Sequence, residues 1–273
     1  IPVKPTTLRM SFLRDTHVAD SYRRFSQAGW NGLVREDWSD YFTSPGPLDR
    51  LMSQTHEVVR NRRSSCVMRV STARGCVYVK HQTAASDSSH GFNFAALRWL
   101  LGPARALQVL RVTRALHRAG FLAPPIILAA RRRGAISAED LIVSEAVESQ
   151  NLSDAMAQCR TTEAVASLAR MTGRRLAQLH QAHFVHGDPL PNNLLMTCDP
   201  DNLIYLDNDR TRRMFGPWRG YYKWRNVAAL SFRLWMSHGR IVVRAFLDAY
   251  CDTRGFSAAR RRRWIYAAFT RAR

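Results

Sequence analysis

The residues best suited to chemistry fall in one short run, His186-Gly187-Asp188-Pro189-Leu190-Pro191-Asn192-Asn193, and in Asp207 a little further on. Asp188 is a carboxylate in a proline-broken loop, Asn193 is an amide five residues later, and Asp207 follows two apolar runs, residues 194–196 and 203–206. Between those runs Cys198-Asp199-Pro200-Asp201-Asn202 is strong turn chemistry, so they should pair as a small hairpin that returns Asp207 beside the loop. Such a set suits phosphoryl transfer. A hydroxyl acceptor needs a base near its attacking oxygen, and nucleotide phosphates need Mg2+ held by hard oxygen ligands, here one amide oxygen and one carboxylate. The plainer reading is a turn closed by Asx hydrogen bonds. The order of features along the chain favours the first: a lysine-bearing strand upstream, the loop, then the hairpin and its aspartate.

The elements that must hold these groups can be read from periodicity. Residues 66–71 and 76–82 are β-rich runs joined by Thr72-Ala73-Arg74-Gly75, a hairpin turn, and Cys76, Tyr78 and Lys80 share one face of the second run. Residues 94–118, rich in Leu, Ala and Arg, read as a long helix closed at Gly120 and stopped by Pro124 and Pro125. Residues 126–130 and 141–145 read as another strand pair around a basic turn, Arg131-Arg132-Arg133-Gly134. Beyond Asn151 the chain turns helical. Val165, Leu168, Thr172, Leu176, Leu179 and His183 mark one helix face, and residues 224–237, 241–250 and 257–271 read as three more helices. Residues 1–55 carry Trp30, Trp38, Tyr41 and Phe42 on weak periodicity and read as an irregular extension. The expected organisation is an N-terminal extension (1–56), an α+β lobe with an antiparallel sheet (57–147) and a mainly helical lobe (148–273).

A chain of 273 residues with 46% hydrophobic content can bury a full core, which excludes disordered and collagen-like classes. The 41 Lys and Arg against 21 Asp and Glu leave a formal charge of +20, an excess that calls for an anionic partner such as phosphorylated lipid, an anionic membrane or nucleic acid. Five cysteines, odd in number and never in a C-x-x-C pair, argue against a zinc site or a disulfide framework. His180 and His183 read as helix residues rather than metal ligands, since no third ligand accompanies them. The longest uncharged apolar stretch, residues 120–130, is about half a bilayer span, and no signal-peptide core is present; the start at Ile1 rather than Met leaves room for preceding residues.

At residues 186–193 and at Asp207 the sequence resembles the protein-kinase-like superfamily, whose catalytic loop reads H-x-D-x-x-x-x-N and whose metal-binding aspartate follows two short strands. The H-G-D form resembles kinases of small molecules and glycolipids more than eukaryotic protein kinases, and within that set the sequence is most similar to the bacterial lipopolysaccharide kinase family, which phosphorylates heptose or Kdo sugars of the inner core. Gly102-Pro103-Ala104-Arg105-Ala106, Arg118-Ala119-Gly120 and the basic tract Asp209-Arg210-Thr211-Arg212-Arg213 support it. The resemblance spans residues 57–250 and implies a two-lobed α+β protein-kinase-like fold. It further implies Asp188 as catalytic base, His186 as loop organiser, Asn193 and Asp207 as Mg2+ ligands and Lys80 as partner of the ATP phosphates. Glu145, Ala146 and Val147 would form the adenine-facing hinge.

Three departures stand out. No G-x-G-x-x-G precedes Lys80; Arg60-Asn61-Arg62-Arg63-Ser64-Ser65 stands there, and its arginines would replace the glycine-loop amides as phosphate partners. The position of a Lys-pairing Glu falls near Val109, with only Gln108 close. Asn226 stands where many relatives carry an Asp that braces the loop. The leading expectation is an ATP- and Mg2+-dependent kinase of a lipopolysaccharide-core or lipid-linked sugar, peripheral on the cytoplasmic face of the inner membrane. Arg131, Arg132, Arg133, Arg212, Arg213 and residues 260–263 would face anionic lipid and substrate. The alternatives are a small-molecule or protein kinase of the same fold, which has no need of +20, and a basic pseudokinase binding a protein partner or nucleic acid. Nucleic acid is disfavoured because no RNA-binding motif or Phe/Tyr stacking pattern accompanies the charge.

Overall fold

The computed structural model describes residues 21–43, 46–62, 64–83, 102–134, 137–197, 199, 202–216 and 218–270. They form two compact units: the described residues up to Leu107 with Ile126–Ala146, and Gln108–Pro125 with the described residues from Val147 onward.

The first unit contains β1 (Tyr22–Gln27), β2 (Trp30–Arg35), a 3-10 turn (Glu36–Phe42), α1 (Pro47–Met52), β3 (His56–Arg62), β4 (Ser65–Thr72), β5 (Gly75–Thr83) and the start of α2 (Arg105–Arg118), then β6 (Ile126–Arg133) and β7 (Ala138–Glu145). Seven strands make one antiparallel sheet in the order β1-β2-β6-β7-β5-β4-β3. Alternation along β5 buries Val77 and Val79 on one face, with Met68, Val70, Leu141 and Val143 from the neighbouring strands, and Trp30, Val34, Trp38 and Phe42 complete this core. Residues 22–35 therefore depart from the irregular extension expected of them. Ala28 and Gly29 both adopt positive φ (49° and 79°), the two-residue hairpin turn that matches strand twist, and β1–β2 extends the sheet beyond β6.

The basic turn expected around Arg131 also differs. Arg131 and Arg132 are strand residues. Arg131 is buried, pairs bidentately with the fully buried Asp140 across β6–β7 (3.0 and 2.7 Å) and donates to Gly102 O (2.8 Å); Arg132 pairs with Glu139. Of that trio only Arg133 is exposed. Arg131 and Arg132 hold the sheet rather than forming an open cationic surface.

The second unit holds the rest of α2, which ends where Gly120 takes φ +78°, then α3 (Leu152–Gln158), α4 (Thr162–Gln181), β8 (Phe184–Val185), a 3-10 turn (Pro191–Asn193), the hairpin β9 (Leu194–Met196) and β10 (Leu203–Tyr205), β11 (Arg212–Arg213), α5 (Arg219–Thr253) and α6 (Ala258–Thr270). Residues 94–101 of the expected long helix lie outside the described residues, as do Cys198, Pro200 and Asp201 of the hairpin turn. The face anticipated for α4 is the buried one, with Val165, Thr172, Leu176 and Leu179 in the core. A Cβ on Gly173 would lie 2.3 Å from Phe246 O, so this glycine lets α4 and α5 approach backbone to backbone. The two helices expected at 224–237 and 241–250 are the two arms of α5, which meet at a kink where Gly239 leaves helical geometry (φ 79°, ψ −173°). Arg261, from the expected cationic run at 260–263, pairs with Asp248 and Asp252. No helix among the described residues is long and apolar enough to cross a membrane.

Because Asp140 is fully buried against Arg131, Asp140→Asn should destabilise the first unit by about 3–5 kcal/mol, the cost of an orphaned buried charge. Urea denaturation checks this; a loss below about 1 kcal/mol would mean the pair is solvated.

Candidate active site

Phe184 and Val185, both buried, pair with Arg213 and Arg212, and this two-strand ladder fixes where the loop at 186 begins. His186 is fully buried between the loop and the end of the hairpin: its Nε2–H donates to Leu206 O (2.8 Å), and its Nδ1 accepts from the backbone N–H of Asp188 (3.1 Å). An acceptor nitrogen carries no proton, so both bonds require the neutral imidazole. Burial, the largest influence, lowers its pKa in the same sense, against the opposing pull of the Leu206 carbonyl, Asp207 and Asp188. A single ring thus orients the Asp188 backbone and anchors the residue before Asp207.

Gly187 is demanded by close approach. A Cβ there would lie 2.0 Å from Arg210 Cβ and 2.7 Å from the Arg210 backbone. Past it, Asp188 O accepts from Leu190 N–H (2.8 Å) and from Asn193 Nδ2 (2.9 Å), while Asn193 O accepts from Leu206 N–H (2.9 Å). Asn193 therefore bridges loop and hairpin, and with Nδ2 engaged its Oδ1 is the acceptor left for a ligand. Asp207 is exposed and sits in the left-handed region (φ 52°, ψ 53°), a conformation aspartate tolerates better than most residues. Asn208, next to it, is tied by its Nδ2 to Tyr205 O (2.8 Å). The structure thus gathers His186, Asp188, Asn193 and the Asp207 strand end at one place, as the spacing required. Among the described residues no cluster of three or more His, Cys, Asp or Glu side chains could hold a metal by itself.

A second tier lies behind the loop. Asn226 on α5 donates through Nδ2 to His186 O (2.6 Å), so its Oδ1 accepts from His180 Nε2–H (3.2 Å), leaving His180 Nδ1 to accept from the Tyr250 hydroxyl (2.8 Å). Lys223 Nζ donates to His180 O. Each group is buried and the three imidazole and amide members are neutral, a self-consistent arrangement in which desolvation drives the His180 pKa down to about 3. Burial, with Arg254 and Arg219 nearby, lowers Lys223 to about 8. An aspartate at 226 could not donate to His186 O; the asparagine works here because His180 supplies the matching donor. Sequence reading singled out Asn226 but not Tyr250 or Lys223, which lie 24 residues ahead of it and three behind it with no local signal.

The remaining sequence-predicted residues belong to the first unit or to its boundary. Lys80 is half-buried on β5, opposite Val67 and Ile142, on the face away from Val77 and Val79. The Glu145 carboxylate is ion-paired with buried Arg35 (2.5 Å), which also chelates Asp37. Ala146 N–H donates to Cys76 O (3.0 Å), and Val147 opens the second unit. The Glu145 side chain is thus structural. Where a glycine-rich loop would lie, β3 and β4 pair up to Arg62 and Ser65; Arg60 is exposed, and Arg63 lies outside the described residues. Val109 is buried and Gln108 exposed. A groove of about 460 Å³ bordered by Arg170, Arg174, Arg244 and Asp248 contains none of these residues.

The model of the lipopolysaccharide kinase (Kdo/WaaP) family matches residues 55–250. The chain belongs to this family. It is a kinase, and its α+β fold is protein-kinase-like as anticipated. A solved structure described as WaaP in complex with acyl carrier protein is similar in fold, with a TM-score of 0.63 at 17% identity over 92% of this chain and 98% of that one. No curated protein matches the sequence.

The buried neutral histidines make stability acid-sensitive. In the unfolded chain His180 titrates near ~6.5; folded, it does so at about 3. Its contribution is full above the higher value and is lost as pH falls toward the lower, with a slope approaching about 1.4 kcal/mol per pH unit. His186, shifted in the same direction, adds to it. Urea midpoints should hold steady above neutrality and drop through the mildly acidic range, and His180→Gln should flatten the drop while lowering stability at neutral pH. A flat wild-type profile between about pH 7 and pH 5 would contradict neutral burial.

Proposed function

We propose that the chain transfers the γ-phosphoryl group of ATP to a hydroxyl of a heptose or Kdo sugar in the lipopolysaccharide inner core, at the cytoplasmic face of the inner membrane. The observation that carries this reading is the loop in which His186 and Asn193 clamp the backbone of Asp188 next to the strand end bearing Asp207. Asp188 accepts the acceptor hydroxyl's proton as its oxygen bonds to the γ-phosphorus and the bond to the β–γ bridging oxygen breaks, releasing ADP. His186 acts through Asp188 by fixing its backbone and stays neutral throughout.

The donor set suits Mg2+ delivered with the nucleotide. Asn193 Oδ1 and the exposed Asp207 carboxylate are hard oxygen ligands, and two protein oxygens with phosphate oxygens and water satisfy an ion that rarely sits in an all-protein cage. When bound, the ion neutralises phosphate charge. Lys80 pairs with the α/β phosphates, and backbone groups of Glu145, Ala146 and Val147 face the adenine. Family membership supports a lipopolysaccharide sugar acceptor. The +20 charge favours an acceptor rich in phosphates and carboxylates, held at an anionic membrane. An acyl carrier protein, which accompanies WaaP in the similar structure, is a candidate protein partner.

Labelled ATP and Mg2+, offered with dephosphorylated core lipopolysaccharide, a generic protein or RNA, should label the lipid; label on protein alone, or RNA retention without transfer, would overturn the reading. Asp188→Asn should lower turnover about a hundredfold or more while nucleotide still binds, whereas Asp207→Asn should weaken Mg2+-ATP binding. Lys80→Met should cut kcat/KM with the fold intact. Near-normal turnover by Asp188→Asn would remove Asp188 as the base.

A further inference from the structure

From residue 210 to residue 247 the sequence has nine Lys and Arg and no Asp or Glu. Within that stretch lie six of the ten large hydrophobic side chains that are exposed among the described residues: Phe215, Trp218, Tyr221, Phe232, Met236 and Ile241. Phe215 and Trp218, 63% and 69% exposed, precede α5, and Tyr221, Arg225, Phe232 and Met236 follow at helical spacing on its solvent side, opposite the buried Asn226, Val227, Leu230 and Leu234. Arginines are seated on the rings: Arg212 lies over Tyr222 (4.4 Å), Arg213 over Phe215 (5.8 Å) and Arg225 over Tyr221 (5.8 Å).

We infer that this face, from Arg212 through Met236, is where the protein docks on an anionic lipid bilayer. Trp, Tyr and Phe favour the headgroup boundary, where one end of the ring is apolar and the other wet, and interleaved arginines match lipid phosphates. The stripe from Tyr221 to Met236 runs about 22 Å along the helix and stays amphipathic throughout, so the helix lies along a surface. Charge complementarity selects the occupant: a neutral membrane or a basic partner would offer no anion to the five arginines exposed on this face, Arg212, Arg213, Arg219, Arg225 and Arg233. The face also begins beside the loop, since β11 pairs with β8 immediately before His186 and Arg210 packs on Gly187. The inference builds on the reading of a lipid-borne acceptor, but vesicles that contain no such acceptor test it separately.

The purified chain is sedimented with vesicles of phosphatidylcholine alone or of equal parts phosphatidylcholine and phosphatidylglycerol, without ATP or sugar. Binding should require the anionic lipid and weaken as salt rises. Phe215→Ser/Trp218→Ser/Tyr221→Ser should lower partitioning about tenfold or more and leave a salt-sensitive remainder. Arg212→Gln/Arg213→Gln/Arg225→Gln should lower it similarly and remove most of the salt dependence. Arg133→Gln and Tyr266→Ser, exposed elsewhere, should bind as wild type, and circular dichroism should be unchanged in every variant. Equal binding to neutral vesicles, no binding to anionic ones, patch variants that bind like wild type, or controls that lose as much as the patch variants would each overturn the assignment. So would capture of acyl carrier protein through these residues by a chain that ignores vesicles.

Discussion

A buried imidazole that must stay neutral organises the second unit. His186 gives one nitrogen to the carbonyl that precedes Asp207 and takes the amide proton of Asp188 on the other, so the two carboxylate-bearing segments share a single rigid ring. Protonation would break the second bond, and loss of the ring would leave a buried N–H and a buried C=O without partners, at about 1–3 kcal/mol each. The same constraint propagates backward. His186 O needs a donor, which is Asn226; the far side of that amide needs a donor, which is His180; and the other nitrogen of His180 needs one, which is Tyr250. Each step is dictated by the one before. The chain of bonds is thus built from two histidines, an amide and a phenol, with Lys223 Nζ held on the carbonyl of His180.

The charge excess divides into two populations with different work. In the first unit three arginines are consumed internally, Arg35 by Glu145 and Asp37, Arg131 by Asp140 and Arg132 by Glu139. In the second unit, acids are withheld over residues 210–247, and arginines there meet aromatic rings. A uniform +20 would describe neither. Arg131 and Arg213 look alike in composition, yet one is cross-strand structure and the other belongs to an open face.

The loop and its hairpin were legible because their signals are local: prolines, turn residues and two short apolar runs fix Asp188, Asn193 and Asp207 within 20 residues. The β4–β5 hairpin and the buried face of α4 were legible for the same reason, a period that short windows reveal. Residues 22–35 were not, because the turn at Ala28-Gly29 carries half of the usual hairpin signal and the strands gain burial only by pairing with β6, about a hundred residues later. The run Arg131-Arg132-Arg133 read as a turn because charge mimics a loop; only the cross-strand partners Asp140 and Glu139 reveal a strand. Tyr250 and Lys223 escaped because their importance lies in which buried atom they satisfy, and no window of sequence records that.

The contact between Gly187 and Arg210 joins the two themes. A glycine is needed at 187 because the chain bearing the basic, aromatic face passes within bonding radius of where a side chain would stand. β11 then crosses to β8, so the backbone of Arg212 and Arg213 forms part of the ladder that sets the loop's entry. A force applied to the exposed face therefore meets the loop through backbone, without a flexible side chain between. An enzyme with a diffusible substrate gains nothing from that stiffness. One whose acceptor is fixed in a surface does, and in the reading proposed above the height of Asp188, the proposed base, over that surface would be set by hydrogen bonds; orientation of acceptor and base is what phosphoryl transfer most needs from a protein.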